Sequence, residues 1–253
     1  MLKIRIIPTL LYKDVGLVKG VGFDSWRRVG TVLPAVKVYN RRDVDELVIL
    51  DIAASSAGRA PDYVAVEQWA SECFVPLTVG GGVSELEHIK QLLRAGADKV
   101  CINSAALARP DFINEAAQRF GCQCVVVSID AKRVDGGNYR VFAQAGKVAT
   151  TWDAVAWAKE VARRGAGEIL LTAIARDGTQ SGYDLELIEK VSQAVNIPVI
   201  ASGGAANFEH FRAALLSGAA AVAAASMFHF TEQTPSEARD YLARHGFPVR
   251  RVS

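Results

Sequence analysis

Short apolar runs alternate with longer stretches of helical character from one end of the chain to the other. The runs IRIIPTLL, ELVILDI, PLTVGGG, KVCIN, CVVVSID, EILLTAI, PVIASGG and AAVAAAS are continuous rather than alternating in hydrophobicity. That is the pattern of strands buried on both faces of a parallel sheet. The two halves of the chain also match each other. VPLTVGGG, Val75 to Gly82, returns as IPVIASGG, Ile197 to Gly204, at an offset of 122 residues. At the same offset DELVILDI, Asp45 to Ile52, answers GEILLTAI, Gly167 to Ile174. AGADKVCINSAA, Ala95 to Ala106, answers SGAAAVAAASMF, Ser217 to Phe228. A repeat of half the chain is too long for a solenoid. Eight parallel strands can instead close on themselves and leave no edge. The pattern therefore predicts an α/β fold: one (βα)8 barrel of the TIM type, in one domain, built from half-barrels of about 1–122 and 123–253.

Barrel enzymes place their chemistry at the carboxyl ends of the strands and in the loops that follow, and this ranks the residues. Strand one ends in Thr9, Leu10 and Leu11, before a segment rich in glycine and cations that holds Lys13, Lys19, Arg27 and Arg28. Such a segment is either a loop that folds over a phosphorylated ligand or a solvated, mobile one. Asp51 stands at the mouth of strand two, as a functional carboxylate or a helix cap. Strand three ends in Gly80, Gly81 and Gly82, and strand four in Asn103 and Ser104 before a helix start. Bare amides, an Asn and a hydroxyl at a helix amino terminus make a phosphate site.

Strand five carries Asp130 after a β-branched run, where strand propensity gives no reason for an acid; it reads as a catalytic or ligand-orienting carboxylate. VDGGNYRVF follows as a hairpin-like insert. Strand six ends at Thr172, and a polar loop with Asp177, Gly178 and Gly182 comes next. Strand seven ends in Ser202, Gly203 and Gly204, and strand eight in Ala225 and Ser226, where barrels frequently bind phosphate. Two grips on opposite sides of one mouth imply a small bis-phosphate or a ligand of that span. At the other end, Arg5, Glu46, Lys99 and Glu168 lie near strand starts. They form either a ring of alternating sign across the barrel bottom or four unrelated surface charges.

Composition changes this picture little. The chain is 50% hydrophobic and 22% charged, as a globular domain is, and its net charge of +2 points to neither a nucleic-acid nor a membrane partner. The Ala-rich run from Ala213 to Phe228 is broken by Ser217 and Gly218 and is too short to span a bilayer. MLKIRIIPTLL runs straight into a strand and has no cleavage site of a signal peptide. Cys73, Cys101, Cys122 and Cys124 lack CxxC spacing and read as reduced, buried thiols of a cytoplasmic protein. His88, His210, His229 and His245 are scattered, so neither a metal nor a cofactor is expected.

Together DELVILDI, PLTVGGGV, GADKVCINSAA, SIDAKRVDG, RGAGEILLTAIARDGTQSGYD, PVIASGGA and SMFHF resemble the cyclase subunit of imidazole glycerol phosphate synthase. That subunit is the ammonia-using half of a glutamine amidotransferase in histidine biosynthesis, and the resemblance spans essentially the whole chain. It implies that a glutaminase subunit docks on the amino-terminal face and that ammonia crosses the barrel to a bis-phosphate at the carboxyl face. It implies that Arg5, Glu46, Lys99 and Glu168 are a salt-bridged gate, with Asp98 beside it at the partner surface. It assigns one phosphate to Gly82, Asn103 and Ser104 and the other to Gly178, Gly204, Ala225 and Ser226. It makes Lys19 the loop lysine over the substrate; Asp51, Thr172 and Asp177 are expected among the substrate-binding residues from their places at the mouth. Asp130 is one of two acid–base carboxylates.

The chain departs from the family at the second carboxylate. Where the family has a Cys-Leu-Asp run, this sequence has Thr9, Leu10 and Leu11. Leucine exchanges no proton, and losing a positioned acid or base costs about 10²–10⁴-fold. Asp14, three residues on, is the nearest replacement, and Ala53 stands where threonine is usual. The start IPTLLxK resembles paralogues found with surface-polysaccharide enzymes. The leading expectation is thus a subunit that supplies ammonia to a separate amidotransferase acting on an N-acetylated sugar. The alternatives are a working histidine-pathway cyclase, a phosphoribosyl isomerase relative, and a non-catalytic allosteric scaffold that activates a glutaminase.

Overall fold

The structure is a computed structural model and describes residues 3–14 and 16–250. The eight apolar runs form β1 (Arg5–Lys13), β2 (Leu47–Asp51), β3 (Leu77–Gly80) and β4 (Lys99–Ile102), then β5 (Val125–Arg133), β6 (Glu168–Ala173), β7 (Val199–Ser202) and β8 (Ala221–Ala224). Each pairs in parallel with the next, and β8 pairs in parallel with β1, so the sheet closes into a (βα)8 barrel. Around it stand α1 (Val32–Arg41), α2 (Tyr63–Ala70), α3 (Leu86–Arg94) and α4 (Asp111–Phe120), then α5 (Ala154–Arg163), α6 (Leu185–Ser192), α7 (Phe208–Leu216) and α8 (Pro235–Arg244). Their starts are set locally: Asp62, Asp153, Asp184 and Asn207 accept from amides of the first turns of α2, α5, α6 and α7. Thr234 and Glu237 form a reciprocal capping box at α8.

Strand side chains alternate between the helix layer and the barrel lumen. The inward set packs as a separate apolar plug of Ile7, Val48, Cys101, Val126, Leu170, Ile200, Ala221 and Ala223. Two residues further along the chain, on the same inward faces, come Thr9, Asn103, Ser128, Thr172 and Ser202, and these line a cavity at the carboxyl end. The plug thus separates a polar mouth from the amino-terminal end of the barrel.

Two arms rise beside that mouth. The segment after β1 was expected as a loop, but it is a hairpin. Gly16–Val21 pairs antiparallel with the end of β1, and Asp24–Gly30 pairs with Gly16–Val21. Leu17 and Val18 bury their side chains, which outweighs the glycine and cation content that suggested a mobile loop. The turn residues Gly22 and Phe23 have φ of +60° and +65°, as a two-residue hairpin turn needs. After β5 the insert is a hairpin as expected: Tyr139–Ala143 pairs antiparallel with β5, and a further strand, Val148–Asp153, pairs with Tyr139–Ala143. The arms touch at Gly146, where an added Cβ would lie 2.9 Å from Cδ2 of the Phe23 ring.

The cysteines are less buried than expected. Only Cys101 is buried; Cys73 and Cys124 are half-buried and Cys122 is exposed. Cys122 and Cys124 occupy a single helical turn, Cys122–Cys124, ahead of β5 rather than a strand, which leaves them at the surface. Among the described residues no helix is long and apolar enough to cross a membrane.

Candidate active site and the charged ring at the opposite end

The mouth is an open cavity lined from the carboxyl ends of all eight strands. On its wall Asp130 of β5 is 8% exposed. Its Oδ1 accepts from Ser128 Oγ at 3.1 Å and its Oδ2 from Asn103 Nδ2 at 2.7 Å. Burial pushes the carboxyl pKa up to about 7, against those two hydrogen bonds, and the nearby Asp177 charge adds to the rise. Asp177 is itself raised by burial, which Lys19 and the Gly178 amide oppose. Lys19, from the first arm, is 4% exposed, and its ammonium donates to the Thr9 carbonyl at 3.3 Å. Burial pulls its pKa down to about 8, against the attraction of Asp177. One end of the barrel therefore holds a carboxyl poised near neutrality and a cation that loses its charge in mild alkali.

The walls carry the glycine and hydroxyl groups picked out in the sequence. Gly82, Asn103 and Ser104 line the cavity beside β3 and β4, and Ser104 opens the short helix Ser104–Ala108. Gly178, Gly204, Ala225 and Ser226 line it beside β6 to β8, and Ser226 opens the short helix Ser226–Phe230. Besides Asn103, Gly82 and Ser104 already have partners: Gly82 N–H donates to Ser55 Oγ at 3.2 Å, and Ser104 Oγ accepts from Gln144 N–H at 3.0 Å. Glycine is required at Gly81, whose φ is +105° and whose added Cβ would fall 2.2 Å from the Asp51 carbonyl oxygen.

Asp51 and Thr172 also line the mouth. Asp51 caps the turn after β2, its Oδ1 accepting from Ala53 N–H and Ala54 N–H at 2.9 and 3.0 Å, and Arg59 pairs with its Oδ2 at 3.3 Å. Leu11 faces the cavity from β1 in company with Leu50 and Ile52, half-way round the ring of strands from Asp130. Asp14 lies past the end of β1 in an exposed turn with φ of +57°, and it does not line the mouth. Reading the sequence placed Thr9 at the end of β1 without giving it a role, and it missed Ser128 and the arm residues Phe23 and Trp26 that line the cavity. A period of two back from Asp130 would have found Ser128; nothing in the sequence marks the two arm residues.

At the opposite end the four charges meet. Arg5 pairs with Glu46 at 2.7 Å and with Glu168 at 3.0 Å. Lys99 pairs with the same two carboxylates at 2.9 and 3.2 Å. Thr78 Oγ1 donates to the second oxygen of Glu46 at 2.8 Å, and the Glu46 side chain is 1% exposed. The result is a closed ring of alternating sign below the plug. Asp98, next to Lys99, is exposed and accepts from the Leu77 amide at 2.8 Å.

Fold and site define a (βα)8 barrel with a polar, carboxylate-bearing mouth, an apolar lumen and a ring of ion pairs closing the far end. A family model described as "Histidine biosynthesis protein" matches residues 5–234. The chain is also 53% identical over 253 residues, all of both chains, to the imidazole glycerol phosphate synthase subunit HisF of Hyphomonas neptunium (strain ATCC 15444). The chain belongs to this histidine biosynthesis family.

Proposed function

We propose that the chain is the ammonia-using cyclase subunit of an imidazole glycerol phosphate synthase in histidine biosynthesis, a cytoplasmic protein with a glutaminase subunit on its amino-terminal face. Identity to a HisF subunit along the full length carries this reading. The comparisons back it better than the sugar-amidating paralogue expected from the IPTLLxK start. The geometry supports it at both ends. Ammonia enters through the ring of Arg5, Glu46, Lys99 and Glu168, passes the apolar plug and reaches a bis-phosphate held between the two grips. Adding ammonia, expelling a carboxamide ribotide and closing an imidazole each move protons. Asp130, with its pKa pushed up to about 7, takes a proton in one step and returns it in another. Lys19 lies over the substrate as a cation, and no cofactor takes part.

One observation favours a second reading. Leu11 faces the cavity where the resemblance requires an aspartate, and the exposed Asp14 does not stand in for it. A mouth short of one acid would pass ammonia on to a sugar amidotransferase instead of closing a ring. The test is turnover of the histidine-pathway bis-phosphate by the purified chain with ammonium chloride. Product formation that Asp130→Asn lowers by about 10²–10⁴-fold supports the cyclase. Absence of product from the wild type refutes it in favour of ammonia delivery elsewhere.

A further inference from the structure

Two buried oxygen atoms in the mouth lack a donor. Thr9 Oγ1 and Asn103 Oδ1 have no hydrogen-bond partner among the described residues, and both residues line the cavity. Thr9 is only 6% exposed. Buried polar atoms are nearly always paired, because an unpaired one forfeits its hydration for nothing. Nearby donors are committed elsewhere: Ser128 Oγ and Asn103 Nδ2 both go to Asp130, and Lys19 goes to the Thr9 carbonyl rather than its hydroxyl.

Their place along the lumen sets where these two oxygens act. Thr9 follows Ile7 by two residues on the inward face of β1, and Asn103 follows Cys101 by two at the end of β4. Ile7 and Cys101 belong to the apolar plug. The two unpaired oxygens are therefore the first polar atoms above the plug in their columns. A small polar molecule that had crossed the lumen would meet them on arrival.

We propose that Thr9 and Asn103 seat the incoming ammonia. Ammonia carries three N–H donors and one lone pair. Each oxygen can accept one N–H group, which leaves the lone pair free to attack the bound substrate. The seat rests on the ammonia-using reading above and adds to it a residue, Thr9, with a positioning role. A threonine oxygen accepts a hydrogen bond better than the sulfur of the cysteine that the family resemblance places there.

The test compares wild type, Thr9→Val and Thr9→Ser as full chains. Valine keeps the shape and removes the hydroxyl; serine restores it. With ammonium chloride and the histidine-pathway bis-phosphate, Thr9→Val should raise KM for ammonium about tenfold, the loss of one hydrogen bond. KM for the bis-phosphate should not move, and Thr9→Ser should return the ammonium KM to near wild type. An unchanged ammonium KM in Thr9→Val overturns the seat. Melting without substrate adds a readout independent of turnover. Thr9→Val should melt about 2–4 °C higher, since it removes an unpaired buried hydroxyl; a lower melting temperature would mean the hydroxyl serves the fold and would overturn the seat. If the wild type makes no product, the cyclase reading fails, and the seat is judged by melting in ammonium chloride against potassium chloride at pH 8.5. A stabilisation by ammonium that Thr9→Val abolishes supports it, and equal melting in the two salts overturns it.

Discussion

The chemistry at the mouth comes down to how burial treats two side chains. Asp130 is raised from an ordinary carboxylate to about 7 and Lys19 is lowered to about 8, in each case chiefly by burial. With free ammonia held constant, the rate should rise as pH passes about 7 and Asp130 ionises. Affinity for the bis-phosphate should fall as pH passes about 8 and Lys19 loses its charge. A pH profile without a limb near 7 would remove Asp130 as the base. Stability carries the same signature. A carboxyl whose folded pKa exceeds its unfolded pKa favours folding below the unfolded value, and that contribution is lost as pH rises through the folded one. Asp130→Asn should accordingly melt higher than wild type at pH 8.5 and alike at pH 3.5, as scanning calorimetry would read. Asp130 was legible in the sequence because an acid closes a β-branched run. The role of Thr9 was not, because a hydroxyl in a strand is ordinary and its lack of a partner is a fact of tertiary packing.

Among the elements, the eight strands were legible because strands buried on both faces leave long apolar runs, and the half-chain repeat fixed their number. The first arm was not. Its glycines and cations read as a loop, while Leu17 and Val18 hold it to β1 as a hairpin. Its turn is equally silent, since Phe23 is no turn residue yet adopts φ of +65°. The arm is held over the mouth by Gly22 N–H donating to the Asp177 carbonyl at 2.9 Å. Beside that bond Gly178 has φ of +72°, and a Cβ on it would fall 2.1 Å from the Gly20 carbonyl oxygen. Gly178→Ala should push the arm away and take Lys19 with it. KM for the bis-phosphate should rise about tenfold or more, in keeping with a lost charged contact. Limited proteolysis should cut the variant within Gly16–Gly30 while its far-ultraviolet circular dichroism stays as in wild type; an arm cut no faster than in wild type would contradict this.

At the scale of the whole molecule, two polar ends are joined by an apolar lumen, and the far end is closed by ion pairs. The sequence left the four charges open between a ring and chance surface groups; contacts between residues as distant as Arg5 and Glu168 decide it for the ring. Lys99→Ala leaves Arg5 to neutralise both carboxylates, so the fold should survive. Glu46→Ala should cost more stability, because Arg5 and Lys99 then share a single carboxylate. In complex with the glutaminase, either variant should form more glutamate than cyclised product, as ammonia escapes at a ring that no longer closes. Strict parity between the two would contradict passage through the ring.

The most direct measurement is made on the isolated chain with the histidine-pathway bis-phosphate and ammonium chloride, following product beside Leu11→Asp. Turnover by the wild type at an ordinary enzyme rate, lowered about 10²–10⁴-fold by Asp130→Asn, is the result predicted for a cyclase in which Asp130 carries the proton transfers. A silent wild type with a Leu11→Asp variant that turns over would contradict it and leave this barrel as a conduit for ammonia used elsewhere.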